Sequence, residues 1–170
     1  MSTDELVDIV NEANEVQYQR NKHEAHAQGL LHRTVIAEVH NTKGEWLLVK
    51  QAGHKQDAGQ YVSPVGGHVK AGETPEEALK RETEEEIGLK EFTYEKIGEF
   101  IYDRPVKDHR ENHFFIVYII HSDEDLNLND ESVGYERFSV PDLKEKLKMH
   151  PEQFGDAFHI IIKTLYTDLL

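Results

Sequence analysis

Residues 67–89 read GHVKAGETPEEALKRETEEEIGL. A glycine-rich turn runs directly into a helix signal. Thr74 is a good N-cap, Pro75 stands at the first helical position, and Glu77 completes a capping box. Gly88 supplies the left-handed residue that stops the helix, so the pattern predicts a helix over 75–87. Glu82, Glu85 and Glu86 lie three and four residues apart and share one face of that helix. Leu79, Thr83 and Ile87 recur every four residues on another face, suited to packing on a sheet. Carboxylates at such spacing repel by a few tenths of a kcal/mol per pair on an exposed helix. An oxygen-rich cluster of this kind suits a hard divalent cation such as Mg²⁺ or Mn²⁺, which turns repulsion into coordination. On these residues alone, a solvated acidic helix face stands beside the metal reading.

The whole string resembles the Nudix box: a glycine, five residues, a glutamate, seven residues, then REUxEExGU with U a bulky aliphatic. Gly67, Glu73, Arg81, Glu82, Glu85, Glu86, Gly88 and Leu89 fall on its fixed positions, and Thr83 departs from it where an aliphatic is usual. Thr83 is β-branched and can still pack, so the departure touches local packing rather than chemistry. The resemblance implies an α/β fold: a Nudix α/β/α sandwich with a central mixed sheet, in which the box forms a loop–helix–loop.

At 170 residues the chain fits one domain, read here as a single Nudix hydrolase domain over 1–170 with an N-terminal extension, 1–31, packed on it. No basic segment followed by an apolar run opens the sequence, and the longest apolar run, 114–120, is too short to cross a membrane. With no cysteine there is neither a disulfide framework nor thiol chemistry, which fits a reducing compartment. The expectation is a soluble, cytoplasmic protein. A net charge of −14 argues against a nucleic-acid surface but not against a small phosphorylated substrate drawn to a metal-loaded site.

Along the chain, 5–10 and 16–20 read as short strands around a turn, and 21–28 as a short helix closed by Gly29. Strands are expected at 34–39, 46–50, 61–63 and 66–69, with a polar loop over 53–59. After the box come a long strand over 92–102, bulged at Gly98, a charged loop over 103–112, and a strand over 113–121 buried on both faces. An acidic surface stretch over 122–130, a strand over 134–140 and a short helix from Pro141 follow. Phe154, Phe158, Ile161, Leu165 and Leu169 recur at helical intervals and predict one C-terminal helix.

A second resemblance covers most of the chain. ELVDIVNEANEV, GLLHRTVIAEVHN, YVSPVGGHV, ENHFF and NDESVGYERFSVPDLKEKL are similar to isopentenyl-diphosphate isomerase, a Nudix relative. That enzyme uses a cysteine immediately before the box glycine and a glutamate in an E-N-E segment. Here Gly66 and His113 stand at those positions, and glycine has no proton to transfer. His32 and His68 match two metal-binding histidines of the isomerase and Glu111 matches a glutamate ligand; Ala25 stands in register with the third histidine, with His26 beside it. His32, His68, Glu111 and His113 can therefore form a second metal site, since imidazole and carboxylate suit Zn, Mn or Fe. Each histidine can equally be structural, bonding backbone groups.

The function read from these patterns is metal-dependent hydrolysis of a pyrophosphate bond in a nucleoside diphosphate derivative or similar small molecule. The resemblance assigns Glu82, Glu85 and Glu86 as catalytic metal ligands, Gly67 as a carbonyl donor, and Arg81 as the orienting cation. Glu73 reads as securing the loop into the helix. Glu131 and Glu136 lie where some relatives hold a base, though either can be a surface residue. Trp46, Tyr61, Tyr102 and Phe114 can stack on a base or fill the core; Arg104, Lys107, Lys50 and Lys55 can meet an outer phosphate or remain solvated. Isomerase activity and a noncatalytic nucleotide-sensing module are the alternatives. Dimerisation of many relatives raises the expectation of a homodimer.

Overall fold

The structure is a computed structural model that describes residues 5–106 and 109–170. Strands β1 (Leu6–Val10) and β2 (Val16–Asn21) form a hairpin, and helix α1 (Lys22–Gln28) follows, capped by the Asn21 side chain and closed by Gly29 in the left-handed region. Strands β3 (His32–His40), β4 (Trp46–Gln51), β5 (Tyr61–Val62) and β6 (Val65–His68) lead into α2 (Pro75–Ile87). Strands β7 (Thr93–Val106), β8 (His109–His121) and β9 (Ser132–Phe138) come next, then α3 (Val140–Met149) and α4 (Asp156–Leu165). None of the described helices is long and apolar enough to cross a membrane.

β3 is the hub of a mixed sheet. It pairs in parallel with β8 and antiparallel with β1, β4 and β6, while β7 flanks β8 and β9 flanks β4. Residues 113–120 are buried throughout, as the apolar run predicts for a strand covered on both faces. Alternate β3 side chains point to opposite layers: Val35, Ala37 and Val39 join Leu79 and Ile87 of α2, whereas Ile36 meets Phe115, Val117 and Ile161 of α4. Trp46, Leu48 and Phe138 pack with Leu143 of α3 and Phe158 of α4. The result is an α/β/α sandwich.

Helix α2 follows its local signals closely. Thr74 accepts the Glu77 N–H at 3.1 Å, and Glu77 accepts the Thr74 N–H at 3.0 Å. Leu79, Thr83 and Ile87 are wholly buried; the two aliphatics contribute about 1.5–3 kcal/mol each. Thr83 turns its hydroxyl back onto the Leu79 carbonyl at 2.6 Å, so the aliphatic position of the box tolerates it without an orphaned donor. Tyr118 of β8 donates to Glu76 at 2.9 Å and fixes the helix onto the sheet.

Two expectations are corrected. The segment 103–112 is not a charged loop: β7 and β8 continue as a hairpin, with Tyr102 opposite His113 and Arg104 opposite Glu111. Its charges pair across the strands, Arg104 with Glu111 and Arg110 with Asp103, which is why a polar segment remains a ladder. The C-terminal apolar series is not one helix either. Phe154 is extended ahead of α4, held there by a backbone bridge to Tyr61, and Leu169 sits in a separate 3₁₀ turn. The expected bulge in β7 is present between Lys96 and Gly98.

Candidate active site and an adjoining histidine cluster

β6 and the loop before α2 hold the box glycine against the acidic face of the helix. A Cβ on Gly67 would lie 2.3 Å from the Glu82 carboxyl carbon, so any side chain there displaces Glu82. Arg81 forms a two-pronged pair with Glu73, at 2.9 Å to each oxygen, donates to Glu82 at 2.6 Å, and reaches the His68 carbonyl at 3.1 Å. Glu73 also accepts the Lys70 N–H at 2.9 Å, securing the loop as expected. Burial pushes the Glu73 carboxyl up, but Arg81 and the Lys70 N–H outweigh it and hold it below the usual range.

Glu86 is the most strained of the three carboxylates electrostatically. Burial first, then the charges of Glu82 and Glu131, push it up to about 9, against one compensating hydrogen bond from the Gly66 N–H at 2.9 Å. Burial also raises Glu82, partly offset by Arg81. Glu85 is exposed and lies 3.8 Å from Arg81. The donor set around Gly67 is therefore hard oxygen, acidic and short of positive charge, which fits Mg²⁺ or Mn²⁺. Among the described residues the three box carboxylates do not converge as tightly as the histidines described below.

Glu86 and Glu131 both line a cleft of about 390 Å³. Glu131 accepts Lys55 Nζ at 2.6 Å and Asn129 Nδ2 at 3.3 Å. Burial raises the Glu131 carboxyl, but Lys55 and Asn129 overcome that and hold it below the usual range. Val49, Val62 and Phe158 give the cleft an apolar wall, and Arg104, Glu111 and Asp57 also line it. Glu136 instead accepts the Tyr61 hydroxyl at 2.5 Å. Trp46, Tyr61 and Phe114 are core residues, and Tyr102 packs beside Phe115. Lys50 lies over the Tyr61 ring at 5.9 Å. Lys107 is outside the described residues.

On β6, one residue past Gly67, a different constellation begins. His26, His32, His68 and His113 bring one ring nitrogen each within 4.8 Å of all the others. Strand pairing assembles most of it: His32 lies opposite His113, and Thr34 opposite His68. His32 and His113 are buried, the other two partly so. His32 Nδ1 meets the Leu30 carbonyl at 2.8 Å and its Nε2 lies 3.2 Å from His26 Nε2. Burial drives His32 down to about 4 and His68 well below its ordinary value. Three of the four expected second-site residues thus meet. Glu111 lies outside the tight group and pairs with Arg104 at 3.0 Å; His26 stands in the group instead. The HEAHAQGLLH string carried the missed signal, two histidines flanking the turn at Gly29 that reverses the chain between α1 and β3.

Comparison with known proteins agrees with this architecture. A family model described as the NUDIX domain matches residues 30–158. An uncharacterized Nudix hydrolase of Escherichia coli (strain K12), YfcD, is 35% identical over 105 residues, covering 61% of this chain and 58% of that protein. The match thus spans little more than half the length of that relative. Isopentenyl-diphosphate Delta-isomerase 2 of Photorhabdus laumondii is 29% identical over 170 residues, covering 98% of this chain and 96% of that one. Among solved structures, DR0079 from Deinococcus radiodurans superposes with a TM-score of 0.74 at 23% identity, over 94% of this chain and 98% of that chain. The MutT protein from Methanosarcina mazei Go1 gives 0.65 at 23% identity, over 81% and 94%. At such identities the solved structures speak for the fold alone.

Proposed function

The chain belongs to the Nudix domain family, and from that premise we propose that it hydrolyses a pyrophosphate bond in a nucleoside diphosphate derivative or similar small molecule, with Mg²⁺ or Mn²⁺ held by Glu82, Glu85, Glu86 and the Gly67 carbonyl. The observation that carries this reading is the crowding of Glu82, Glu86 and Glu131 beside a cleft, with Arg81 committed to Glu82 and Lys55 to Glu131. A divalent ion supplies charge neutralisation at the phosphoryl oxygens and a more acidic water.

The remaining tasks fall to side chains. Arg81 orients Glu82 and keeps the box loop folded against the helix. Glu131, kept ionised by Lys55, accepts a proton from the attacking water. Glu86, which lines the same cleft as Glu131, is left to the cation it would help hold, so the proton stays on Glu131. The apolar wall of the cleft excludes water around the bound compound, which strengthens each of these interactions.

Isomerase chemistry, suggested by the Photorhabdus relative, lacks its groups here. Gly66 stands where that chemistry needs a thiol and His113 where it needs a carboxylate. Space is not the reason, since a Cβ at Gly66 meets nothing within 4 Å. The test is a panel of dinucleotides, nucleotide sugars, coenzyme A and nicotinamide dinucleotides, assayed with Mg²⁺, Mn²⁺ and chelator. Metal-dependent release of a monophosphate from at least one compound is expected. Tight binding without cleavage would favour the sensing module, and solvent deuterium entering isopentenyl diphosphate would favour the isomerase.

A further inference from the structure

We infer that His26, His32, His68 and His113 form a closed, all-imidazole site for a transition metal of the Zn²⁺ or Co²⁺ class, whose role is to fasten α1 to the sheet rather than to catalyse. This goes beyond the hydrolytic reading and does not depend on it.

The four ring nitrogens lie close enough together for a four-coordinate set. Metal–nitrogen bonds of about 2.0–2.1 Å put tetrahedral ligand atoms roughly 3.3 Å apart. The His26–His32 nitrogens are already 3.2 Å apart, and small side-chain rotations bring the widest spacing, within 4.8 Å, to that value. The Leu30 carbonyl accepts the Nδ1–H of His32, which fixes the tautomer and leaves Nε2 as the lone pair facing the cluster.

The ligand set differs from the one the isomerase resemblance implies, and the difference indicates the role. Glu111 is engaged by Arg104, and His113 replaces a carboxylate. Neutral nitrogen ligands select Zn²⁺, Co²⁺ or Cu²⁺ over Mg²⁺. Four protein ligands complete the sphere, leaving no position for a reacting water. Three ligands come from adjoining strands β3, β6 and β8, already held by the ladder. The fourth, His26, comes from a seven-residue helix, too short to hold its own conformation in water and packed through Ala25 against Val7 and Ile9. His26 also lies before the segment that the NUDIX family model matches, 30–158. A ligand bond at His26 would tie α1 directly to the three strands.

The experiment uses untagged, metal-stripped protein, with equimolar Zn²⁺ for melting and hydrogen exchange and Co²⁺ for absorption. Wild type is expected to melt at least about 4 °C higher with Zn²⁺, to show the intense visible bands of tetrahedral Co²⁺, and to gain exchange protection over residues 22–28. His26→Ala is compared as loaded against stripped protein, so its own baseline stability does not matter. The three strand histidines and a water can still hold the ion, so it is expected to lose the gain in protection over residues 22–28 and to show a smaller rise in melting temperature. Glu86→Gln is expected to keep all three wild-type responses, which separates this site from the box. No Zn²⁺ effect in wild type, weak octahedral Co²⁺ bands in wild type, an unchanged wild-type α1 exchange rate, or metal-dependent α1 protection surviving in full in His26→Ala would each overturn the inference.

Discussion

Arg81 shows how one side chain serves both fold and site. It is only 22% exposed and bonds Glu73, Glu82 and the His68 carbonyl at once. Arg81→Gln leaves two partly buried carboxylates without their cation and is expected to cost about 2 kcal/mol of stability, read from urea denaturation, together with turnover. Arg81→Lys is expected to recover little, because an ammonium cannot span both carboxylates as the guanidinium fork does. Full recovery would mean that charge alone matters there. Glu38, wholly buried on β3, makes the clearest pH prediction. Burial lifts its carboxyl from 4.5 to about 7, opposed only by the Ser63 hydroxyl at 2.6 Å. Between those values the folded chain keeps a proton that the unfolded chain releases. The stabilising contribution is therefore complete below about pH 4.5 and is lost as pH rises through 7. Glu38→Gln removes the cost of ionisation, so it should stabilise by up to about 3 kcal/mol at pH 9 and change little at pH 4.5. Equal effects at the two pH values in urea titrations would count against this.

At the scale of elements, α2 carries its instructions locally. Thr74→Ala removes the cap acceptor and is expected to cost about 1 kcal/mol. Gly88→Ala should cost more. Its φ of 72° suits glycine, and a Cβ there would sit 2.7 Å from the Asn127 side chain. If Gly88→Ala melts like wild type, the stop signal lies elsewhere. This local completeness is why the box helix and its buried face were legible in the sequence. The β7–β8 extension was not, because Arg104, Glu111, Asp103 and Arg110 read as loop residues until their cross-strand partners are known. Phe154 misled for a related reason. Helical spacing counted it into α4, but the backbone is extended there and its ring stacks on Phe158 from outside the helix. Of the site, Glu82, Glu86, Arg81 and Gly67 came from the motif. The Glu131–Lys55 pair depends on two loops 76 residues apart, and His26 on a helix face that no register with relatives could supply.

For the molecule as a whole, the dominant electrostatic fact is a net charge of −14. Self-repulsion at that charge destabilises the compact state, and salt relieves it. Raising NaCl from about 10 to 150 mM shortens the screening length from roughly 30 to 8 Å, so the melting temperature should rise by a few degrees. A fall would show that favourable surface pairs outweigh repulsion. The same excess of carboxylates is concentrated functionally at Glu82, Glu86 and Glu131, where the fold holds like charges together beside the cleft. The central claim is that this crowding serves hydrolysis. Its most direct test is the turnover of Glu86→Gln, with saturating Mg²⁺ or Mn²⁺, on whichever pyrophosphate compound the wild type cleaves fastest. The account predicts a fall of at least about 100-fold with the melting temperature preserved. Turnover equal to wild type would contradict it.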